Sequence, residues 1–291
     1  MFGKRTGKFM IFASHGVLMY VLFVIIPILL CVVYSFTNMN PLYPNWKFIG
    51  FDNYVSLTRD SDFWNSVKNT VFFAFIVTIV SNVLGIAIAM MLNHKGRFYY
   101  FLRSMFFAPQ VMSAVVVGFI WSIILTDNGI LNKVLDILHL DGLKESWLAD
   151  PQLALYSISA VVIWQMLGFC VVIYLATLQS ISKELYEAAD LDGCNKFQRF
   201  INITFPLLAP GMTINITMLM ITMFKIYDQI AVLTAGGPGN ATETLAFKIV
   251  HTGFTKNEMG YGSSMSVVLF LIIGLLSVIT TTILRNREVQ H

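Results

Sequence analysis

Charge is what this sequence has least of. Lys, Arg, Asp and Glu make up 12% of its 291 residues, against about 25% in an ordinary soluble domain. A chain so poor in charge cannot cover a large water-facing surface, so it leaves no room for a sizeable soluble module. Cysteine is scarce too: Cys31, Cys170 and Cys194 have no paired spacing, which excludes a disulfide framework and a cysteine metal site. The histidines His15, His94, His139, His251 and His291 are scattered, none beside a cysteine or carboxylate at ligand spacing, so no metal residue is expected. No Gly-Lys-Ser/Thr follows any glycine run; the chain has no phosphate-binding loop and should not hydrolyse ATP itself. Nor does an Asp or Glu lie centrally in any long apolar stretch. That counts against an ion-coupled secondary transporter, which places acidic groups at mid-membrane. The net charge of +3 is modest and points to no nucleic-acid partner.

What the sequence has is apolar length: 56% of it is hydrophobic and the mean hydropathy is +0.71. Six stretches reach the ~20 apolar residues a bilayer crossing needs, over residues 9–36, 71–92, 105–125, 153–178, 207–224 and 264–284. The first, preceded by Lys4, Arg5 and Lys8, reads as a retained span. Pro27 and Pro109 fall inside spans, where neighbouring helices can satisfy the freed backbone. Gly85, Gly118, Gly168 and Gly274 offer places for close helix approach. One set of alternate loops carries Lys4, Arg5, Lys8, Lys95, Arg97, Arg103, Lys183, Lys196, Arg199, Arg285 and Arg287, 11 residues. The other carries 6: Lys47, Arg59, Lys133, Lys144, Lys248 and Lys256. The richer side is expected to be cytoplasmic, with both termini inside.

One polar stretch on that side has a purposeful pattern, residues 182–206 between the fourth and fifth spans. Ser182 is placed to N-cap a helix over Lys183 to Asp192, with Glu184 near the positive end of its dipole. Gly193 offers a left-handed terminator. Asn195 with Gln198 three residues on reads as a capping box, and Phe197, Phe200, Ile201 and Thr204 share one face of the helix that follows. Pro206 and Pro210 then open the next apolar helix. The spacing predicts a helix–glycine–helix knob standing off the membrane, and fits equally an amphipathic connector lying on the lipid surface.

The residues of that knob resemble a known element. Glu187-Ala188-Ala189, Gly193 four residues beyond, and Ile203-Thr204-Phe205-Pro206 are similar to the EAA loop of ABC importer permeases. Two outer stretches resemble sugar-type members of that family. One is Phe48-Ile49-Gly50-Phe51-Asp52-Asn53-Tyr54 with Asp62-Phe63-Trp64 and Asn69-Thr70. The other is the run through Gly236, Gly237, Pro238 and Gly239 to Thr242, which by composition alone is a turn cluster. The sequence departs from the larger maltose-transporter subunit in having six spans and a short first outer loop. That shorter form is common among glycerol-phosphate and multiple-sugar permeases.

The resemblance implies an all-α integral membrane protein, a single permease domain over 1–291 with six transmembrane helices of the type I ABC importer fold, in a bacterial cell membrane. It implies a binding-protein-dependent importer of carbohydrate, an oligosaccharide in particular, with glycerol phosphate or a polyol as other cargoes. Partners would be a second homologous permease, two copies of an ABC ATPase carrying ATP and Mg, and an extracytoplasmic binding protein. Glu187, Ala188, Ala189, Asp190, Asp192, Gly193 and Pro206 would meet the ATPase. Asn82, Trp164, Gln165, Gly168 and Asn215 are candidates for the substrate path, for each of which interhelical packing is the competing and commoner role, and Met223 and Tyr227 are candidates by their position in the resembled helix segment.

Overall fold

The computed structural model describes residues 14–286. The beginning of the first expected span, at 9–13, and Lys4, Arg5, Lys8, Arg287 and His291 lie outside the described residues. In chain order the helices are α1 (Ser14–Ser35), α2 (Asp52–Arg59), α3 (Ser61–Leu92), α4 (Arg97–Val111), α5 (Ala114–Ile124), α6 (Ile130–Ile137), α7 (Ala154–Ser180), α8 (Lys183–Leu191), α9 (Lys196–Leu207), α10 (Ala209–Phe224), α11 (Asp228–Leu233), α12 (Leu245–Val250) and α13 (Met259–Arg285). Two isolated bridges are the only β pairing among the described residues.

Four of these helices, α1, α3, α7 and α13, are each long and apolar enough to cross a bilayer. Two bent pairs bring the number to as many as six: α4 with α5, bent by 97°, and α9 with α10, bent by 60°. The third and fifth expected spans are therefore broken. In the third, Pro109 lacks an amide hydrogen and its ring crowds the preceding turn. The chain leaves the helix at Met112, in extended geometry, and Ser113 starts α5 by accepting the Val116 amide on its Oγ at 3.3 Å. The helix also begins eight residues before the expected 105. At the second break Pro206 and Pro210 flank Leu208: Pro206 stands next to the last residue of α9, and Pro210 falls in the first two positions of α10, where a missing amide hydrogen costs nothing.

The described residues divide into two compact units, 14–61 with 248–271 and 62–247 with 272–286. In the first, the turn after α1 is tied by Asn53, whose Nδ2 donates to the carbonyls of Ser35 at 2.8 Å and Thr37 at 2.9 Å. Phe36 packs against Phe51 and Tyr54 at 5.2 and 5.4 Å. The start of α13 closes onto this turn, the Gly260 amide donating to Met39 O at 2.9 Å and the Tyr261 hydroxyl to Asp60 at 2.8 Å.

The second unit is built on α7, which packs against α4, α10 and α11. Its core takes Ala89 and Leu92 from α3, Cys170, Val171, Tyr174 and Leu178 from α7, and Leu219 from α10. Lipid tails are as apolar as leucine, so helices here associate through close packing more than through exclusion of water. Three of the four glycines expected to permit close approach do so. A Cβ would lie 2.6 Å from Cys170 Cβ at Gly85, 2.9 Å from Val232 at Gly118, and 2.6 Å from Phe106 O at Gly168. Gly274 is the correction: nothing lies within 4 Å of its would-be Cβ, because that turn of α13 faces outward from its own unit.

This contrast is testable. At Gly168 the obstacles are backbone atoms of α4, which cannot swing aside as a side chain could. Gly168→Val should lower the melting temperature in detergent by the equivalent of at least 1–3 kcal/mol, roughly the cost of overpacking. Gly274→Ala should match or slightly exceed the wild type, since alanine is the better helix former. Equal melting of the two variants would show that the α4–α7 approach is not tight.

Candidate functional site

The knob forms as its residues dictate. Ile181 and Ser182 are extended, so α7 and α8 are separated by two residues only. Ser182 Oγ accepts the Glu184 amide at 3.2 Å. At the other end of α8, Gly193 sits at φ +74°. Its amide donates to Asp190 O at 3.2 Å and that of Cys194 to Ala189 O at 3.0 Å, the paired reverse bonds of a Schellman terminus. Asn195 and Gln198 then exchange side-chain-to-backbone bonds at 2.9 Å each, the capping box that opens α9. Both helix ends that meet at the glycine are thus capped from within the chain.

Inside the knob, Ala189 is buried at 5% exposure. Arg199 reaches back from α9, donating to Asp190 Oδ1 at 2.7 Å and lying over the Tyr186 ring at 5.7 Å. Tyr186 in turn hydrogen-bonds Thr204 at 3.2 Å. An exposed ion pair adds at most about 1 kcal/mol, but here it closes the two helices on each other. The outward side carries Glu187, Ala188 and Asp192, all exposed, and two apolar tips, Leu191 at 89% and Phe197 at 71% exposure. Glu187 and Leu191, four apart, share one outward face. Leu191 went unnoticed in the sequence, although a leucine set between two aspartates just before a helix-ending glycine is a legible sign of an apolar tip. Pro206 is half-buried at the base of the knob. It lines, with Thr177, Ser182 and Pro210, a groove of about 630 Å³.

Of the seven substrate-path candidates, five are buried within the chain. Gly168 is one, facing α4. Asn82 Oδ1 accepts the Tyr174 hydroxyl and its Nδ2 donates to Thr78 O at 2.7 Å. Asn215, on α10, donates to Cys170 O at 3.3 Å. Gln165 donates to Met112 O at 3.2 Å and accepts from Gln229 at 3.0 Å. Met223 is fully enclosed. Trp164, at 38% exposure and 5.5 Å edge-on to Trp121, and half-buried Tyr227, stacked on Phe247 at 5.9 Å, are the two that reach the surface.

The run through Gly236, Gly237, Pro238 and Gly239 is a tight turn, with Gly236 at φ +82°, Gly239 at +55° and a cis bond before Pro238. A Cβ on Gly236 would meet the Phe247 ring at 2.8 Å. Thr242 Oγ1 donates to Gly237 O at 2.7 Å, and Asn69 of α3 donates to the carbonyls of Ala241 and Glu243, both at 3.1 Å. Gly237 and Pro238 line a groove of about 560 Å³ with Asp127, Asn128, Leu148 and Ala149. Leu148 and Ala149 precede α7 and the knob follows it. At about 1.5 Å per residue the 27 residues of α7 set this groove and the knob about 40 Å apart. Beside the groove Asn132 donates to Asp127 O at 3.0 Å and Glu145 O at 2.9 Å, and accepts from the Trp147 ring nitrogen at 2.8 Å. Nearby, Lys144 bridges Asp136 and Asp141; the ammonium hydrogen bond to Asp136 holds that carboxyl below its usual range.

Residues 81–288 match the family of binding-protein-dependent transport system inner membrane components. The chain is 35% identical, over 99% of its length and 98% of the relative, to the "Probable starch degradation products transport system permease protein AmyD" of Thermoanaerobacterium thermosulfurigenes. It is 33% identical, over 92% of its length and 95% of the relative, to the multiple sugar-binding transport system permease protein MsmF of Streptococcus mutans. Its fold matches a chain in the crystal structure of a bacterial alginate ABC transporter in complex with an alginate pentasaccharide-bound periplasmic protein. That match has a TM-score of 0.85 over 97% of this chain and 96% of the other, at 19% identity. With multiple apolar helices and a family match over most of its length, the chain is a multi-pass membrane protein and belongs to the binding-protein-dependent transport system inner membrane components.

Proposed function

We propose that this chain is a permease subunit of an ATP-driven importer that takes up carbohydrate, an oligosaccharide in particular, and that the knob at 182–206 is its docking element for the ATPase. The observation that carries the reading is the knob itself. It is capped at both ends, closed by the Asp190–Arg199 pair, and joined to a long span by two residues. Such a body can pass a push from a partner into the membrane without bending first. The carbohydrate cargo is supported by the relatives that serve starch degradation products and multiple sugars.

In this reading the knob and both termini face the cytoplasm. Glu187, Leu191 and Phe197 meet the ATPase, Ala188 permits close approach, and Ala189, Asp190, Gly193 and Pro206 hold the shape. Two copies of the ATPase carry ATP and Mg, and this chain contributes no catalytic group. A second, homologous permease completes the pathway, and an extracytoplasmic binding protein delivers sugar to the far end of α7. ATP favours the closed ATPase dimer, and that differential preference drives the permease pair between its two states. Trp164 and Tyr227, the surface-reaching candidates, offer aromatic faces to sugar rings; Asn82, Gln165, Gly168, Asn215 and Met223 hold the helices together.

Two outcomes are expected. Glu187→Lys and Gly193→Asp should insert normally, yet lose co-purifying ATPase about ten-fold or more, the scale of removing one interfacial charge contact, and abolish uptake. Co-expression of the tagged chain with its chromosomal neighbours and a detergent pull-down reads the first effect, and radiolabelled oligosaccharide uptake the second. Normal uptake in both variants would end the docking assignment. Trp164→Ala should retain the ATPase and slow uptake several-fold through a loss of stacking worth about 1 kcal/mol; unchanged uptake would remove Trp164 from the path.

A further inference from the structure

A second groove, of about 350 Å³, lies where the knob meets the membrane. Its apolar floor is Met90 of α3, Leu178 of α7 and Phe200 of α9, with Asn93, Tyr186 and Thr204 lining it beside them. Met90 and Leu178 each stand two residues before the end of a helix long enough to span. The floor is therefore the last turn of two spans, the depth at which hydrocarbon gives way to headgroups. The rim is basic: Lys196 and Arg199 stand one turn apart on α9, facing His94, and no carboxylate lines the groove. Lys95 and Arg97 follow in the same turn as His94 and are exposed. That turn is held in place, because Arg103 donates to Leu92 O at 2.7 Å and to His94 O at 3.1 Å.

We propose that this groove binds an anionic phospholipid, its phosphate between Lys196 and Arg199 and the first methylenes of its acyl chains on Met90, Leu178 and Phe200. Basic pockets beside the ends of spans suit anionic headgroups, each cation near the surface adding attraction. A free phosphate would make no use of the apolar floor, and a zwitterionic lipid would set its own cation against Lys196. A lipid held here touches α3, α7 and α9 together. It therefore ties the base of the knob to the bilayer surface, and its phosphate competes with Asp190 for the Arg199 guanidinium. The inference needs only the placement of the spans, and stands whether or not the knob docks an ATPase.

The test uses the full chain purified alone in neutral detergent, titrated with phosphatidylglycerol or phosphatidylcholine and read by native mass spectrometry. Wild type should retain phosphatidylglycerol well above phosphatidylcholine. Lys196→Gln should weaken phosphatidylglycerol about five-fold, the worth of one cation near an anionic surface, and Lys196→Glu more. Lys183→Glu, a charge reversal at the same end but outside the groove, should leave binding unchanged, and circular dichroism should find all variants folded. Equal retention of the two lipids, or equal loss in the Lys183 and Lys196 variants, would overturn the site. Displacement of phosphatidylglycerol by millimolar inorganic phosphate would overturn the lipid and leave an anion site instead. Because no ATPase is present, none of these outcomes depends on docking.

Discussion

A carbonyl released from a helix at membrane depth has no water to turn to, and leaving it bare costs several kcal/mol. Where α4 bends into α5 that demand is answered by a side-chain amide, and several turns outside the spans are tied in the same way. Asn53 caps the turn after α1 through the carbonyls of Ser35 and Thr37. Gln165 reaches from α7 to Met112 O, freed where α4 bends into α5. Asn132 serves Asp127 O and Glu145 O, and Asn69 the tight turn before α12. Thr244 does the same with a hydroxyl, donating to Ile226 O just past the end of α10 at 2.9 Å. An amide suits the task because its nitrogen carries two donors and no charge to desolvate. The first bend follows from Pro109, and the Gln165 amide serves the carbonyl freed there.

The knob obeys the same rule in a wetter place. Its backbone ends are satisfied by Ser182, Gly193 and the Asn195–Gln198 box, leaving the outer face free of any duty to the fold. That division explains why Asp190, read from the sequence as one of a set of contact residues, is spent on Arg199, while Leu191 stands bare. The helix places Tyr186 and Ala189 inward, and Glu187 with Leu191 outward, on the same 3.6-residue period. In the docking reading, this outward face with Leu191 is what the ATPase would cover.

Much of this was legible in the sequence, and the illegible part has a common cause. Caps, the terminating glycine and the long apolar stretches are local, so residues within a turn or two of each other determine them. Ser182, Asn195, Gln198 and Gly193 do what their spacing foretold. The bends at 112 and 208 were legible as prolines but not as 97° and 60° turns, because the angle depends on what receives the freed backbone groups far along the chain. The same distance separates Gly168 from Gly274. Both are glycines in apolar helices, and only the approach of Phe106 makes the first a packing site. Asn82 and Asn215 look in sequence like polar groups awaiting a substrate; the Asn82 oxygen is taken by Tyr174 and the Asn215 nitrogen by Cys170 O, each more than 40 residues away.

These long-range ties also bear on how a push at the knob would travel, if the docking reading holds. The helix α7 leads into α8 through two residues, and along its length it is held to α4 at Gly168, to α3 through Tyr174 and Asn82, and to α10 through Cys170 and Asn215. A tilt of α8 therefore has no slack to absorb it before reaching three other helices. The weaker joint lies beside that block, at the open corner Met112–Ser113, whereas Leu208 is fully buried in the core. Motion in a packed body collects where the fewest contacts must be remade, so the Met112–Ser113 corner is the natural hinge. The amides then have a second consequence: by holding the Met112 carbonyl as the helices rotate, Gln165, itself steadied by the Gln229 amide, would keep the α4–α5 corner from unravelling while letting its angle change. A permease must open and close without exposing bare backbone to lipid, and a hinge with its own hydrogen-bond donor satisfies both requirements at once.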